Sequence, residues 1–441
     1  MSKIKMPFVC LLFITAFALE RAELYMWSGG VLLAGAVVLY ILQYKKTGHL
    51  FNLPGLFSLF FIGGEALACF KLSELSALHW SILTWLSFSM VYIGFMLGYA
   101  FVEYRRGPRL SITKKLAAYT RRDLDSRLCK ERIFKSILAI CLISLACFAF
   151  EAVKLGFIPF FSDEPHAYSY FHISGVHYFT VTCVLVLPLT IIYLWNNRKP
   201  EKYKLALVIL ANIIAISIPV LCVSRFQLML SVLLALCVFA SLNKNFKWYY
   251  IVGVVMALVP VYIILSIARN HDVAYLNSIF EMKNKNMPIF ITQPYMYVAN
   301  NYENFNCLTE QLAAHTYGLR QLFPVFALTG LKFVFPQLVS FPLYITKEEL
   351  TTVTLIYDAY YDFGIVGVTV FGLILGAACS SLSRLTAKAT NPVMYLFYGQ
   401  IAMYLVFSFF TTWFSNPTTW FWLGITLIIF IYVGKTDKKQ K

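Results

Sequence analysis

Apolar residues in this chain neither alternate nor keep to one helical face. They fall into twelve largely unbroken runs, near 6–22, 24–43, 53–70, 79–102, 136–153, 176–196, 205–223, 226–242, 248–267, 363–382, 392–412 and 417–434. About 20 apolar residues wound as an α-helix match the hydrocarbon thickness of a bilayer, where a helix satisfies its own backbone. The pattern predicts an all-α polytopic membrane protein of about twelve transmembrane helices, a single integral membrane domain over 1–441. Two connections are long: a basic stretch at 103–135 and a loop at 268–362. Loops of that length without function are uncommon. Within the second, "NCLTEQLAAHTYG" reads as a short helix with Asn306 as N-cap and Gly318 as its stop. "QLFPVFALTGLKFVFP", too short between Arg320 and Lys332 to span, reads as an amphipathic segment lying in the interface.

Composition strengthens the membrane reading. Of 441 residues, 59% are hydrophobic and 13% charged, and the mean hydropathy is +0.69, far from soluble domains with about 25% charged residues. Threading twelve spans with both termini on one side puts most of the 37 basic residues on that side, among them Lys45, Arg105, Arg121, Arg198 and Lys438, and most acids on the other. By the positive-inside rule both termini and 103–135 are cytoplasmic, and 268–362 is a large extracytoplasmic loop. The net charge of +16 is thus a topology signal and gives no reason to expect nucleic acid as a partner. Lys3, Lys5 and the "AFA" ending at Ala18 also fit a cleaved secretory signal over residues 1–18; the remaining spans keep their orientation either way. Ten cysteines without metal spacing read as small apolar residues, and no metal or cofactor is expected.

An ionisable side chain in hydrocarbon must be paired or face water, so each is a functional candidate. Those at span ends or within spans are Glu65, Glu151, Arg225, Arg269, Asp358 and Asp362, nearly all at the outer face. Arg225 in "LCVSRFQLML" and Arg269 in "SIARNHD" emerge at neighbouring outer helix ends, where two rigid forks suit a phosphate or carboxylate; snorkelling anchors are the plainer alternative. Arg320 is a third outer arginine. Asp358 and Asp362, four apart beside Tyr357 and Tyr361, share a face if their helix starts early; they either pair with Lys347 or an outer arginine, or serve a sugar hydroxyl as base or orienting partner. His315 is a second candidate base. The aromatic outer stretch holding His166, His172 and His177 suits sugar rings or an interfacial belt.

The segments "GFIPFFSDEPHAYSYF", "SRFQLMLSVLLAL", "NYENFNCLTEQL" and "YYDFGIVGVTVFGLILG", with one large outer loop late in the chain, resemble the oligosaccharide repeat-unit polymerases, the Wzy-type O-antigen and capsule polymerases of bacteria. The resemblance implies a GT-C-like, O-antigen-ligase-like helical glycosyltransferase of the cytoplasmic (inner) membrane, working without nucleotide sugar, ATP or metal. Its substrate would be an undecaprenyl-pyrophosphate-linked oligosaccharide, the growing glycan passing to the non-reducing end of the next lipid-linked repeat. Implied partners are membrane lipids and a polysaccharide co-polymerase that sets chain length. In that chemistry Arg225, Arg269 and Arg320 would bind the lipid pyrophosphate, His166 and Tyr361 would line the substrate site, and His315, Asp358 or Asp362 would supply the base. Arg225 and Asp362 lie in the resembling segments, whereas His315 and Arg320 rest on position and chemistry alone. Nine residues separate Arg320 from Gly330 where family members are described with ten, and His166 stands where an arginine is expected. A ligase that transfers finished glycan, and a lipid-linked-oligosaccharide flippase, are the competing readings.

Overall fold

In a computed structural model that describes residues 5–105, 126–162, 167–243, 245–267 and 273–435, the chain is helical throughout. The only extended pairing among the described residues is an isolated antiparallel bridge between Ser73 and Met282. Helix covers most of every apolar run. In chain order the main helices are α1 (Lys5–Arg21), α2 (Tyr25–Thr47), α3 (Leu53–Cys69), α4 (Ile82–Tyr104), α5 (Ser126–Leu155), α6 (Val176–Asn196), α7 (Lys202–Leu221), α8 (Arg225–Leu242), α9 (Tyr249–Ile267), α10 (Val273–Phe280), α11 (Ile289–Gln311), α12 (Phe323–Leu328), α13 (Leu331–Val334), α14 (Tyr357–Ala387), α15 (Met394–Val406) and α16 (Pro417–Val433). Seven of these, α2, α4, α5, α6, α7, α8 and α14, are long and apolar enough to cross a membrane. The chain is therefore a polytopic membrane protein. Most of the basic 103–135 stretch lies outside the described residues.

The helices cluster into two compact units, each assembled from separate stretches of sequence. The first comprises Met1–Leu110, Asp272–Ser381 and Tyr404–Trp420; the second comprises Ser111–His271, Leu382–Met403 and Phe421–Lys441. In the second unit α5 packs on α6 and α7, and α6 packs on α8. The buried Glu151 carboxylate near the end of α5 is fully engaged there, accepting from Ile173 N (2.9 Å), Thr180 Oγ1 (2.7 Å) and facing His177 Nδ1 at 3.1 Å.

Two features organise the first unit. One is a glycine seam: Gly94 and Gly98 of α4 face Gly372 and Gly376 of α14, each in small-xxx-small spacing. A Cβ on Gly94 would sit 2.6 Å from the Thr369 carbonyl oxygen, and one on Gly98 or Gly376 would overlap the carbonyls of Leu373 or Phe95. Only bare backbones fit so closely. The other feature corrects the loop expectation. Residues 289–311 form one 23-residue helix, α11, buried against α3 and α4 despite its polar sequence. Asn306, expected to cap a short helix, lies deep inside α11. Its Oδ1 accepts from Ser81 N and Thr84 Oγ1, both at 2.8 Å, so it helps cap α4 instead.

The carboxamides of α11 replace solvent with loop backbone, which is how a polar helix is buried at tolerable cost. Asn304 Nδ2 donates to the carbonyls of Leu350 (2.7 Å) and Thr352 (2.8 Å), and its Oδ1 accepts from Thr346 N at 2.8 Å. Asn301 Nδ2 donates to the Phe409 carbonyl at 2.7 Å, and Leu355 N donates to that of Ser408 at 2.9 Å. Those tertiary bonds claim carbonyls just beyond Val406, where α15 stops short of the expected 412. The 321–336 segment breaks into α12 and α13 with largely exposed apolar residues, among them Leu322, Val325, Leu328, Phe333 and Val334.

Candidate functional site

The D-F-G-x-x-G stretch breaks α14. Phe363 (φ −142°, ψ 16°) and Gly364 (φ 59°, ψ −146°) leave helical geometry, so a short segment, Tyr357 to Asp362, precedes the membrane-length part. The conformation at Gly364 is open essentially to glycine alone. A Cβ there would also press on the His315 ring, 3.2 Å from Cε1, and one at Gly367 would overlap the Ala359 carbonyl. Each residue of the motif thus has a backbone reason: a carboxylate before the break, a glycine at it, and a glycine where the two segments meet.

Asp358 and Asp362 fall in the first segment, but their environments differ. Asp362 is fully buried. It accepts from the backbone N–H groups of Arg320 (3.1 Å) and Gln321 (2.9 Å) and from the Thr316 hydroxyl, which fixes the turn at 315–321. Two backbone bonds run the other way, from Thr316 N and Tyr317 N to the carbonyls of Tyr361 and Asp362. Gly318 lies in this turn at φ 102°, well past the end of α11. Asp358 instead takes Arg320 Nε at 2.5 Å, while Lys347 pairs with Glu281.

Arg320 lies face-on to Tyr361, its guanidinium carbon 4.5 Å from the ring centroid, with Tyr357 at 5.6 Å. Those rings are held in turn: the Tyr357 hydroxyl donates to the Tyr344 carbonyl (3.0 Å) and accepts from Tyr344 N (2.8 Å), and Tyr344 packs beside Tyr361. Burial works against the Arg320 charge, but the neighbouring Asp358 carboxylate outweighs it and holds the guanidinium above its ordinary range. With Nε on Asp358, the Nη1 and Nη2 edge of the fork makes no hydrogen bond among the described residues. A planar, permanently charged edge fixed from behind suits phosphate oxygens.

His315 sits on the rim, solvent-exposed, its Nδ1 3.2 Å from the Tyr361 carbonyl oxygen. A carbonyl accepts only, so that contact places a proton on Nδ1; in the neutral imidazole Nε2 then carries the lone pair and can accept a proton. The structure therefore gathers His315, Arg320, Asp358, Tyr361 and Asp362 around one break in one helix. Arg225 opens α8 in the other unit. Arg269 and His166 lie outside the described residues. Glu65 is fully buried in α3, beside a π-helical turn at Ser58–Ile62, and neither carboxylate oxygen has a hydrogen-bond partner among the described residues.

Sequence reasoning placed Tyr357 beside the aspartates but missed its partner Tyr344 and the supporting Asn304. The available signal was the density of tyrosines around 344–362, which periodicity does not weigh. Comparison of the chain with protein-family models, with curated proteins and with solved structures finds no match.

Proposed function

We propose that this protein polymerises undecaprenyl-pyrophosphate-linked oligosaccharide repeats at the outer face of the bacterial cytoplasmic membrane, with about twelve spans and both termini in the cytoplasm. The observation that carries the reading is the free guanidinium edge of Arg320, braced by Asp358 and Tyr361 beside an exposed histidine with an open Nε2. Pyrophosphate is already a good leaving group; such a transfer needs fixed positive charge where negative charge develops and a base for the attacking hydroxyl.

In this mechanism the donor's pyrophosphate lies on Nη1 and Nη2 of Arg320. The terminal hydroxyl of the acceptor glycan attacks the anomeric carbon of the donor, Nε2 of His315 takes its proton, and the carbon–oxygen bond to pyrophosphate breaks with the electron pair leaving on the lipid carrier. Asp358 keeps the fork aimed. Asp362, with three donors on it, is a positioning residue that holds the 315–321 turn. Arg225, Arg269 and His166 remain proposed substrate contacts by position and resemblance, and a co-polymerase partner by resemblance alone.

The test is deletion of the gene in its host, complemented with wild type, Arg320→Ala and His315→Gln, and a gel of the surface polysaccharide. The reading expects a ladder with wild type and single repeats with either variant. Normal ladders from both variants would overturn the site; full-length glycan left unattached to its final acceptor would identify a ligase, and repeats trapped inside the cell a flippase.

A further inference from the structure

A second concavity lies in the first unit, between the α1–α2 turn, the end of α3 and the segment after α10. It is open to the surface, has a volume of about 490 Å³, and is lined by Glu23, Tyr25, Trp27, Phe70, Lys283 and Asn284 together with the apolar Leu24, Met26, Leu72 and Met287. Its floor is rigid. Lys71 beneath it is buried and spends its three N–H bonds on Glu20 (3.0 Å) and the carbonyls of Ala77 (2.5 Å) and Leu78 (2.9 Å). Glu20 also accepts from Trp80 N at 2.8 Å. Glu23 (φ 61°) and Lys71 (φ 49°), at the rim and floor, hold left-handed backbone that non-glycine residues adopt at a cost, and such strain concentrates where a site is shaped.

The walls, by contrast, are unspent. Among the described residues, the Glu23 carboxylate, the Tyr25 hydroxyl, the Lys283 ammonium and the Asn284 amide N–H₂ have no hydrogen-bond or ion-pair partner. Trp27 stands 69% exposed above them. A cleft of this size with polar groups, one of them the buried Tyr25 hydroxyl, beside aromatic faces has the anatomy of a ligand site. Its chemistry narrows the ligand class: Glu23 and Lys283 carry opposite charges, which disfavours an anion, and four polar groups on an otherwise apolar lining call for a ligand with both an apolar face and polar groups. Donors and acceptors beside an indole and two more rings match a neutral ring with an apolar C–H face and a hydroxyl edge.

We propose that this cleft is a carbohydrate-binding subsite, separate from the Arg320 site, that holds a stretch of neutral glycan. Its role rests on the glycan-transfer reading: in the threading used above both sites open on the outer face, and the cleft retains the growing chain between additions. The binding claim stands on the cleft alone.

The test uses the full chain in lipid nanodiscs, titrated calorimetrically with lipid-free oligosaccharide repeats released by mild acid from the host's own surface polysaccharide. Wild type binds; Trp27→Ala and Asn284→Ala each weaken binding about tenfold or remove one site, the size expected for one stacked ring or a lost polar anchor. Asn284 is exposed on a loop, so its variant reports even where Trp27→Ala fails to fold. Wild-type affinity in both variants, no binding by wild type, or a Trp27 quenched by brominated lipid and indifferent to the oligosaccharide would each overturn the subsite. The gene-deletion ladder is a separate readout: a normal ladder without the gene sinks the polymerase reading while leaving measured glycan binding at the cleft intact.

Discussion

Arg320 and Asp358 should be energetically inseparable, and a double-mutant cycle measures by how much. Nε and Oδ1 are 2.5 Å apart, and the side chains are only 18% and 7% exposed. Removing one partner of a buried pair costs about 3–5 kcal/mol, mostly from the charge left behind. Arg320 keeps some water and the faces of Tyr357 and Tyr361, so the cost falls at or below the bottom of that range: about 2–3 kcal/mol for Asp358→Asn, and similar for Arg320→Met, which strands the carboxylate. The double variant strands nothing. It should lose no more than either single change, a coupling of about 2 kcal/mol, where independent sites would add within about 0.5 kcal/mol. Unfolding of the four proteins in one detergent, by denaturant and intrinsic fluorescence, provides the numbers. The same double variant should still make no polymer, because it lacks the guanidinium edge. Strictly additive losses would refute the view that Asp358 exists to aim and neutralise Arg320.

Three further outcomes follow from the packing. Gly376→Leu drives a side chain into the Phe95 carbonyl, where no rotamer relieves the overlap; a loss of at least about 1–3 kcal/mol is expected, seen as a collapsed monodisperse peak in detergent chromatography, and a normal peak would mean the α4–α14 seam is looser than described. Gly364→Ala forces a Cβ into the φ 59°, ψ −146° break at a cost of about 1–3 kcal/mol and against His315; transfer should fall further than stability, and an unaffected variant would argue that the break is incidental. Glu303 is buried on α11, and that burial lifts its carboxyl to about 7 against the pull of Lys71 and the bonds from Trp80 Nε1 and Ala77 N, with Glu20 adding to the rise. Because the folded pKa lies above the unfolded one, its contribution is full below pH 4.5 and fades as pH rises to about 7. Glu303→Gln keeps an acceptor for both donors, so its stability relative to wild type should rise by up to roughly 3 kcal/mol between those limits and then level off; parallel pH curves would show that Glu303 does not titrate there.

Each apolar run became helix because in lipid a backbone has no other partner, and that constraint is local enough to read from composition. Boundaries moved where tertiary contacts competed, as at α15, whose next carbonyls go to Asn301 and Leu355. The GxxxG spacings at 94–98 and 372–376 were present in the sequence, but nothing in a linear reading says which two such stripes face each other. Asp358 and Asp362 could be marked as costly, and therefore meaningful, from their place beside an apolar run. Their difference in role could not, since it depends on residues some forty positions away: Arg320 Nε reaches one carboxylate, and the backbone of the turn it sits in reaches the other. The polar helix α11 shows the limit most plainly. Its asparagines look solvent-facing in any periodicity count, and they are buried because loops at 344–352 and 408–409 bring carbonyls to meet them. Partition between water and lipid is decided residue by residue and so is written in the sequence. Hydrogen bonds between distant segments depend on where the whole chain has already gone, and only the folded structure decides them.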